Sequence, residues 1–366
     1  MLGACNGLKG KACAEDSHTV AVLSSRDYFA PAMPLSLSRD RVVALLKAAK
    51  AKRIAIIGDA MLDVYLRGDV ERISPEAPVP VVRVRERRFA LGGAANVVQN
   101  IRGLGASCDF VAATGNDPGG GRLREMLGAI GVAPDSLIAI DRRTTTKTRI
   151  VARGQQVVRV DEEEDDDLDS GDVARLVAAA ERAIDRADAL ILEDYNKGVL
   201  VPAVIERVMA RAKKRGIPVV VDPKYRNFFA YRGATVFKPN RRELESALGA
   251  AVDLEHPDAL PAALSRLGVD NLLLTLGDRG MALISRDGSV KRVPTVAREV
   301  YDVVGAGDTV TAYLAAVLAA GGSATEASVV ANYAAGVEVG KSGAATVSAD
   351  EVIEAYDDFA RSRESA

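Results

Sequence analysis

Short, uninterrupted apolar runs alternate with amphipathic segments along most of this chain, and that alternation constrains its fold more than any other feature. Strands that are apolar on both faces are typical of a parallel sheet covered by helices on each side. The pattern predicts strands at residues 53–58, 108–113, 189–193, 217–222, 234–238 and 271–276. Helical spacing predicts helices at residues 40–50, 96–104, 121–130, 202–215, 241–248, 309–318 and 329–340. We therefore expect an α/β fold with a mostly parallel central sheet.

Two stretches break this rhythm, because residues 79–89 and 144–160 alternate apolar with polar or basic side chains. Such alternation is typical of half-buried antiparallel strands, and Gly154-Gln155 is the predicted turn between two of them. These strands form either a small projecting sheet that acts as a lid or an edge extension of the main sheet. The acidic run that follows, residues 161–167, is typical of a solvated loop, and we assign it no metal.

Composition excludes several classes of protein. Lys and Arg total 48 against 50 Asp and Glu, so the near-neutral chain is a poor candidate for a nucleic-acid binder. No apolar run reaches the roughly 20 residues that a membrane span requires. The three cysteines, at 5, 13 and 108, form no CxxC pair, which disfavours disulfides and zinc and suits the reducing cytoplasm. Residues 1–37 lack a secretory pattern, and we expect a disordered N-terminal extension there.

The segment Val304-Gly-Ala-Gly-Asp-Thr309 precedes a predicted helix. Glycines at a helix N-terminus let backbone N–H groups converge on an anion, and the helix dipole adds positive potential. Asp308 is then either a helix cap or a catalytic base. The Gly-x-Gly before it favours the base, because a cap needs no such glycines.

Three further motifs each have a functional and a structural interpretation. Asn96 follows Gly92-Gly93 and either bonds a ligand hydroxyl or caps a helix. Asn240 and Glu243 either organise Mg²⁺ beside phosphates or form a capping box. The segment 275–280 is either a nucleotide loop or a plain Gly-Asp turn. The sequence contains no GxxxxGK[ST] loop, no GxGxxG after the first strand, and neither HExxH nor GxSxG.

In this order, the motifs resemble the ribokinase-like (PfkB) family of sugar kinases over residues 53–349. The resemblance implies a three-layer α/β/α sandwich over residues 38–361, with lid strands from about 76–90 and 142–160. It implies ATP and Mg²⁺ as cofactors, and a homodimer formed through the lid.

Roles for individual residues follow from the same resemblance. Asp308 would be the catalytic base, and the N–H groups of Gly305, Ala306 and Gly307 would form an anion hole. Asn240 and Glu243 would organise Mg²⁺ through water. The nucleotide would lie along Asn240, Thr275, Gly277, Gly280 and Asn332, and the sugar along Asp63, Gly92, Gly93 and Asn96.

A narrower resemblance rests mainly on Ile-Ser-Pro-Glu-Ala-Pro-Val-Pro at residues 73–80. It points to the branch of the family that phosphorylates O1 of D-glycero-β-D-manno-heptose 7-phosphate for lipopolysaccharide precursors. Many such kinases carry an adenylyltransferase domain, whose HxGH motif is absent here, so we expect a stand-alone kinase. The 7-phosphate requires cations, and the candidates are Lys197, Lys224, Arg88, Lys147 and Arg149. Lys197 and Lys224 rank first because they follow strand ends.

Two other functions remain open. One is a ribokinase-like kinase of another sugar or sugar phosphate. The other is a sugar- or nucleotide-binding module without catalysis, which the intact Gly-Ala-Gly-Asp segment disfavours.

Overall fold

Two β-sheets organise the chain, and the larger contains nine strands. The computed structural model describes residues 37–133, 137–253, 260–297, 300–341, 343 and 345–364. The extension predicted at residues 1–37 lies outside this range except for its last residue. The large sheet consists of β1 (Arg53–Gly58), β4 (Ser107–Gly115), β5 (Leu137–Ile140), β8 (Ala189–Glu193), β9 (Val219–Asp222), β10 (Val236–Phe237), β11 (Asn271–Thr275), β12 (Met281–Ser285) and β13 (Val290–Val293). The small sheet consists of β2 (Ala60–Ile73), β3 (Pro80–Gly93), β6 (Thr146–Ala152) and β7 (Gln155–Glu162).

The large sheet has the order β13-β12-β11-β10-β9-β8-β1-β4-β5. Every pair from β11 to β5 is parallel, whereas β12 and β13 pair antiparallel. Each strand predicted from an apolar run is present. The strand predicted at residues 234–238 is shorter, Val236–Phe237, and an isolated bridge between Asn240 and Thr275 follows it.

Helices cover both faces of the large sheet, so the architecture is the expected three-layer α/β/α sandwich. They are α1 (Arg39–Ala49), α2 (Ala94–Leu104), α3 (Pro118–Ala129), α4 (Ser170–Arg186), α5 (Pro202–Arg215), α6 (Arg241–Leu248), α7 (Leu260–Leu267), α8 (Ala306–Ala319), α9 (Ala324–Glu338) and α10 (Ala349–Glu364). One core packs α1, α2, α8 and α9 on the face that carries Ile56 and Ile191. A second core packs α4, α5 and α7 on the face that carries Ile57 and Leu192. No helix within the described residues is both long and apolar enough to cross a membrane.

The small sheet has the order β3-β2-β6-β7 and is separate from the large sheet, so the edge-extension alternative is wrong. The pairs β2–β3 and β6–β7 are antiparallel as expected, and β2 joins β6 in parallel. Strand β2 was not predicted, because its charged residues interrupt the apolar pattern. The β6–β7 turn is Arg153-Gly154, one residue earlier than predicted, with φ angles of 51° and 78°.

Three strands of the large sheet bring charged side chains to one place. The side chains of β8, β9 and β10 that face α8 end in Glu193, Asp222 and Lys238, where Lys238 directly follows β10. Glu193 pairs in register with Asp222, and parallel partners share a face of the sheet. Ligands of parallel sheets bind at this carboxyl edge. The N-terminus of α8 lies over the same edge.

Candidate active site

Asp308 lies in the first turn of α8 and lines a cavity of about 330 Å³. Its Oδ2 accepts a hydrogen bond of 2.7 Å from Asn96 Nδ2, and its Oδ1 accepts one of 3.0 Å from the Tyr195 hydroxyl. The cap position of α8 is Gly305, and no side chain caps this helix. Asp308 is therefore not a helix cap, and its carboxylate is held between two donors at the cavity.

Burial sets the acidity of Asp308, whose side chain is almost completely enclosed. Removal from water raises the pKa of Asp308 to about 6, and the negative charge of Asp222 adds to the shift. The hydrogen bonds from Asn96 and Tyr195, together with the charge of Lys238, oppose the rise. At neutral pH the carboxylate is ionised but basic enough to accept a proton, as a general base requires.

The start of α8 offers positive potential next to this carboxylate. Gly305 adopts a left-handed φ of 97°, and the first N–H groups of a helix have no acceptor within it. The Lys238 ammonium lies 3.7 Å from the position that a Cβ on Gly307 would occupy. These N–H groups and Lys238 together suit an anion held at the helix N-terminus.

The predicted sugar-binding residues line the same cavity, namely Asp63, Gly92, Gly93 and Asn96. A Cβ on Gly92 would lie 2.7 Å from Asp63 Oδ2, so only glycine leaves this carboxylate accessible. Gly93, with φ 55°, is the cap position of α2, so the interpretation of Asn96 as the cap is wrong.

Asp59 positions Tyr195 although its own side chain does not line the cavity. Its buried carboxylate accepts the backbone N–H groups of Tyr195, Lys197 and Val199 at 2.7, 3.0 and 3.2 Å. Asn196 within this turn has a φ of 55°. The turn after β8 is thus folded around one carboxylate, and the Tyr195 hydroxyl reaches Asp308.

Asn240 and Glu243 form the capping box that was the alternative to a magnesium role. Asn240 Oδ1 accepts the Glu243 N–H at 2.9 Å, and Glu243 Oε2 accepts the Asn240 N–H at 2.8 Å. Glu243 Oε1 also accepts Lys224 Nζ at 2.5 Å. Both residues line the cavity, and their oxygens are the hard donors that Mg²⁺ takes through water. The donor set therefore fits Mg²⁺, and its binding here stays a prediction.

Two of the predicted nucleotide residues, Asn240 and Thr275, line the central cavity, whereas Gly277, Gly280 and Asn332 do not. Thr275 lines the cavity and bridges to Asn240. Gly277, with a φ of 64°, begins a short 3₁₀ turn that contains the Gly-Asp pair and joins β11 to β12, and its contact with a nucleotide stays a prediction. Gly280 approaches the segment after β13, since a Cβ there would lie 2.1 Å from the Val293 carbonyl oxygen. Asn332 Nδ2 donates a hydrogen bond of 2.8 Å to the carbonyl oxygen of Pro294, the residue after Val293.

Of the cations proposed for the phosphate, Lys147, Arg149 and Lys224 line the cavity. Arg149 Nη1 contacts Asp63 Oδ1 at 2.5 Å, and its guanidinium lies over the Tyr65 ring. Arg88 borders a different cavity, on the α3 side of the small sheet.

The acidic run is tied to lysines and is not simply solvated. Lys197 Nζ contacts Asp165 at 2.6 Å and Glu163 at 3.0 Å, and it does not line the central cavity. Lys147 Nζ contacts Glu163 at 2.8 Å and Asp161 at 3.3 Å. Three acidic residues thus neutralise two of the lysines proposed for the phosphate.

The sequence analysis missed five polar or charged residues in or beside the cavity: Arg159, Glu193, Tyr195, Asp222 and Lys238. Three of them end predicted strands, so the rule that ligands bind at the carboxyl edge could have found them. Tyr195 and Arg159 depend on the turn after β8 and on the β6–β7 register, which no local pattern specifies.

Comparison with known proteins shows the family to which the chain belongs. Residues 51–351 match the model of the pfkB family carbohydrate kinases. The chain belongs to the pfkB family of carbohydrate kinases. It is therefore an ATP-dependent sugar kinase, and the expected family is confirmed.

Curated members of the family are similar over most of this chain. The bifunctional protein HldE of Rhodospirillum rubrum is 48% identical over 307 residues, which cover 83% of this chain and 62% of that protein. The HldE of Pelobacter propionicus is 45% identical over 323 residues, which cover 87% of this chain and 66% of that protein. The chain thus spans just under two thirds of the length of these relatives.

Solved pfkB structures share the fold at low sequence identity. Arabidopsis thaliana ribokinase, complexed with ribose and ATP, has a TM-score of 0.66 at 21% identity and covers 83% of this chain and 98% of its own. The tetrameric inhibited form of Escherichia coli phosphofructokinase-2 has a TM-score of 0.69 at 19% identity, with coverages of 85% and 100%.

The hydroxyl of Tyr195 gives a first prediction. Tyr195→Phe removes a donor that stabilises the ionised form of Asp308, so the pKa of Asp308 should rise above about 6. The acid limb of the kcat/KM profile should shift to higher pH, because the base is then protonated over a wider range. Tyr231→Phe is the matched control, since that buried hydroxyl donates to Asp194 instead. Equal acid limbs in wild type and Tyr195→Phe would contradict the prediction.

Proposed function

We propose that this kinase transfers the γ-phosphoryl group of ATP to O1 of D-glycero-β-D-manno-heptose 7-phosphate and forms the 1,7-bisphosphate. The observation that carries the phosphoryl-transfer chemistry is Asp308, a buried carboxylate between the α8 N-terminus and the pocket of Asp63 and Asn96. The heptose acceptor follows from the sequence resemblance at residues 73–80 and is supported by similarity to the HldE proteins. We infer a role in cytoplasmic synthesis of ADP-heptose for lipopolysaccharide.

The base in this proposal is Asp308. Its Oδ atoms accept hydrogen bonds from Asn96 and Tyr195, which fix the carboxylate relative to the sugar pocket. Asp308 would take the proton of the O1 hydroxyl as that oxygen attacks the γ-phosphorus. Phosphoryl transfer needs positioning and charge stabilisation more than covalent catalysis, so a single aspartate suffices as the base.

Positive groups on the opposite side of Asp308 would stabilise the transferring group. The N–H groups of Gly305, Ala306 and Gly307 face charge that develops on the γ-phosphoryl oxygens. Lys238 lies beside Gly307 and adds a fixed positive charge. Asn240 and Glu243 would hold Mg²⁺ through water, and the ion, when bound, neutralises the nucleotide phosphates.

Removal of the base tests the proposal directly. Asp308→Asn should lower kcat by at least about a thousandfold, in the range lost when a positioned acid–base group is removed. Binding of ATP and of the sugar phosphate, measured by calorimetry, should survive because the amide keeps the shape of the side chain. Turnover near that of wild type would remove Asp308 from this role.

The phosphate of the sugar would bind the inner face of the small sheet. Arg149 on β6 and Arg159 on β7 are in register, so their side chains share one face, and both line the cavity. Tyr65 on β2 lies in register with Arg149, and its buried hydroxyl has no hydrogen-bond partner. Guanidinium pairs are well suited to bidentate phosphate recognition. Arg159 is therefore the cation we add to those expected from the sequence.

A substrate comparison tests this phosphate site. Arg159→Met should lower kcat/KM for heptose 7-phosphate by about tenfold or more, and for the unphosphorylated heptose far less. Arg85→Met is the matched control: Arg85 pairs with Asp69 and Glu71 on the small sheet, as Arg159 pairs with Asp161, but Arg85 does not line the cavity. Fructose 6-phosphate serves as the competing phosphosugar. Equal losses for phosphorylated and unphosphorylated heptose would show that Arg159 does not recognise the phosphate.

We also propose that the small sheet is a lid that pairs two copies of the chain. Large apolar side chains are exposed on it, including Ile73 at 61%, Val79 at 52% and Val158 at 46%. The motif at residues 73–80 joins β2 to β3, and none of these described residues lines the central cavity. Large apolar side chains that are exposed on one element indicate an interface. A second copy of the same sheet supplies matching apolar surface.

Light scattering after size-exclusion chromatography tests the pairing. Wild type should elute as a dimer, and Val158→Glu should give a monomer because an unpaired charge would be buried at the interface. Tyr225→Glu controls for the loss of an exposed apolar residue elsewhere, since Tyr225 is 67% exposed and follows β9. A monomeric wild type, or a dimer unaffected by Val158→Glu, would contradict the pairing.

A further inference from the structure

Glu193 is a buried acid at the centre of the site to which the catalytic scheme gives no role. It ends β8 and lies in register with Asp222 of β9, with both side chains toward α8. On its other side Glu193 meets Gly58 of β1, where a Cβ would lie 2.1 Å from the Glu193 carbonyl oxygen and 2.9 Å from its Cβ. The neighbouring strand therefore makes room for this side chain but offers it no polar group.

The surrounding carboxylates have partners, whereas Glu193 has none. Asp222 Oδ2 accepts Lys238 Nζ at 2.9 Å, and Asp308 accepts Asn96 and Tyr195. Glu193 is 0% exposed, and neither of its carboxyl oxygens has a hydrogen-bond donor within reach. Within the described residues, one oxygen each of Glu193, Asp222 and Asp308 lie within 4.8 Å of one another. A third ionised carboxylate there would have neither solvent nor a donor.

A proton resolves this conflict better than a metal ion. An ionised carboxylate buried without partners costs far more free energy than a neutral acid. A divalent cation among the three carboxylates would face the Lys238 ammonium, which already bonds Asp222. A neutral Glu193 instead gains a neighbouring acceptor, because Asp222 lies in register with it and their carboxyl oxygens lie within 4.8 Å of one another.

We propose that Glu193 is a positioning residue that stays protonated and donates its proton to Asp222, so that Asp222 holds Lys238 beside the N-terminus of α8. The protonation of Glu193 does not depend on the phosphoryl transfer proposed above. Only the role of Lys238, stabilisation of the transferring phosphoryl group, rests on that proposed function. A protonated Glu193 also leaves one negative charge fewer next to the site of the ATP phosphates. Lys238 is then oriented toward the phosphoryl group by a chain of two hydrogen bonds.

The groups around Glu193 support this protonation state. Burial, followed by the charges of Asp222 and Asp308, raises the pKa of Glu193 well above its usual range, and the charge of Lys238 only partly opposes this. The titratable and charged groups that interact with Glu193 from the elements packed around it are Asp222, Lys224, Lys238, Asp308, Tyr195 and Tyr231. On the β1 side its neighbour is Gly58, which has no titratable group.

Two variants separate a neutral acid from a charged one. Glu193→Gln preserves the shape and can still donate to Asp222, so kcat at neutral pH should stay within about threefold of wild type, with an unchanged KM for sugar. Glu193→Ala leaves Asp222 without this donor and should lower kcat by about tenfold or more. If Gln costs as much as Ala, the charge of Glu193 is required and the proposal fails. If Ala costs nothing, Glu193 positions nothing and the proposal also fails.

A spectroscopic measurement tests the proton without reference to activity. The infrared difference spectrum between wild type and Glu193→Gln at neutral pH should contain the carbonyl stretch of a neutral carboxylic acid, and absence of that band overturns the assignment. Ile191→Val, on the same strand and face, controls for a packing change. This variant keeps Glu193, so the band should be absent from the difference spectrum between wild type and Ile191→Val. Because the band is independent of turnover, this test can fail while the phosphoryl-transfer proposal stands, and the reverse.

Discussion

The contact between the N-terminus of α8 and the carboxyl edge of the parallel sheet determines the rest of the site. The first turn of α8 contributes Asp308, and the strands beneath it end in Glu193, Asp222 and Lys238. A helix N-terminus favours negative charge, and burial disfavours it. These opposing effects leave Asp308 ionised yet basic, with its two oxygens held by Asn96 and Tyr195.

The small sheet is joined to the carboxyl edge of the large sheet by the polypeptide backbone and also by side-chain contacts. Strand β2 leaves the large sheet directly after β1 and carries Asp63, and β3 returns to start α2 with Asn96. Arg149 on β6 closes against Asp63 across the small sheet. The proposed sugar pocket thus lies where the two sheets meet.

The apolar strands and most helices could be predicted from sequence because their burial on both faces leaves a local signal. Strand β2 could not, since a half-exposed strand of charged residues resembles a loop. The residues of the Gly-rich motifs mostly line the cavity, because short spacing fixes their positions. Lys197 illustrates the limit: its place after a strand suggested phosphate binding, but its distant partners Glu163 and Asp165 are invisible to local pattern.

The contact between Arg149 and Asp63 has a consequence for how a ligand enters. In this structure the Arg149 guanidinium, which would bind the phosphate, is paired with the Asp63 carboxylate, which would bind a sugar hydroxyl. In the proposed site, a ligand bearing only an anion would pair with Arg149 and leave Asp63 without a partner, whereas a neutral sugar would bind Asp63 and leave Arg149 without one. Only a molecule that carries both groups at the right separation would replace the Arg149–Asp63 pair with two new partners. The Arg149–Asp63 contact would therefore compete with each incoming ligand, and substrate selectivity would depend on that competition as well as on the shape of the pocket.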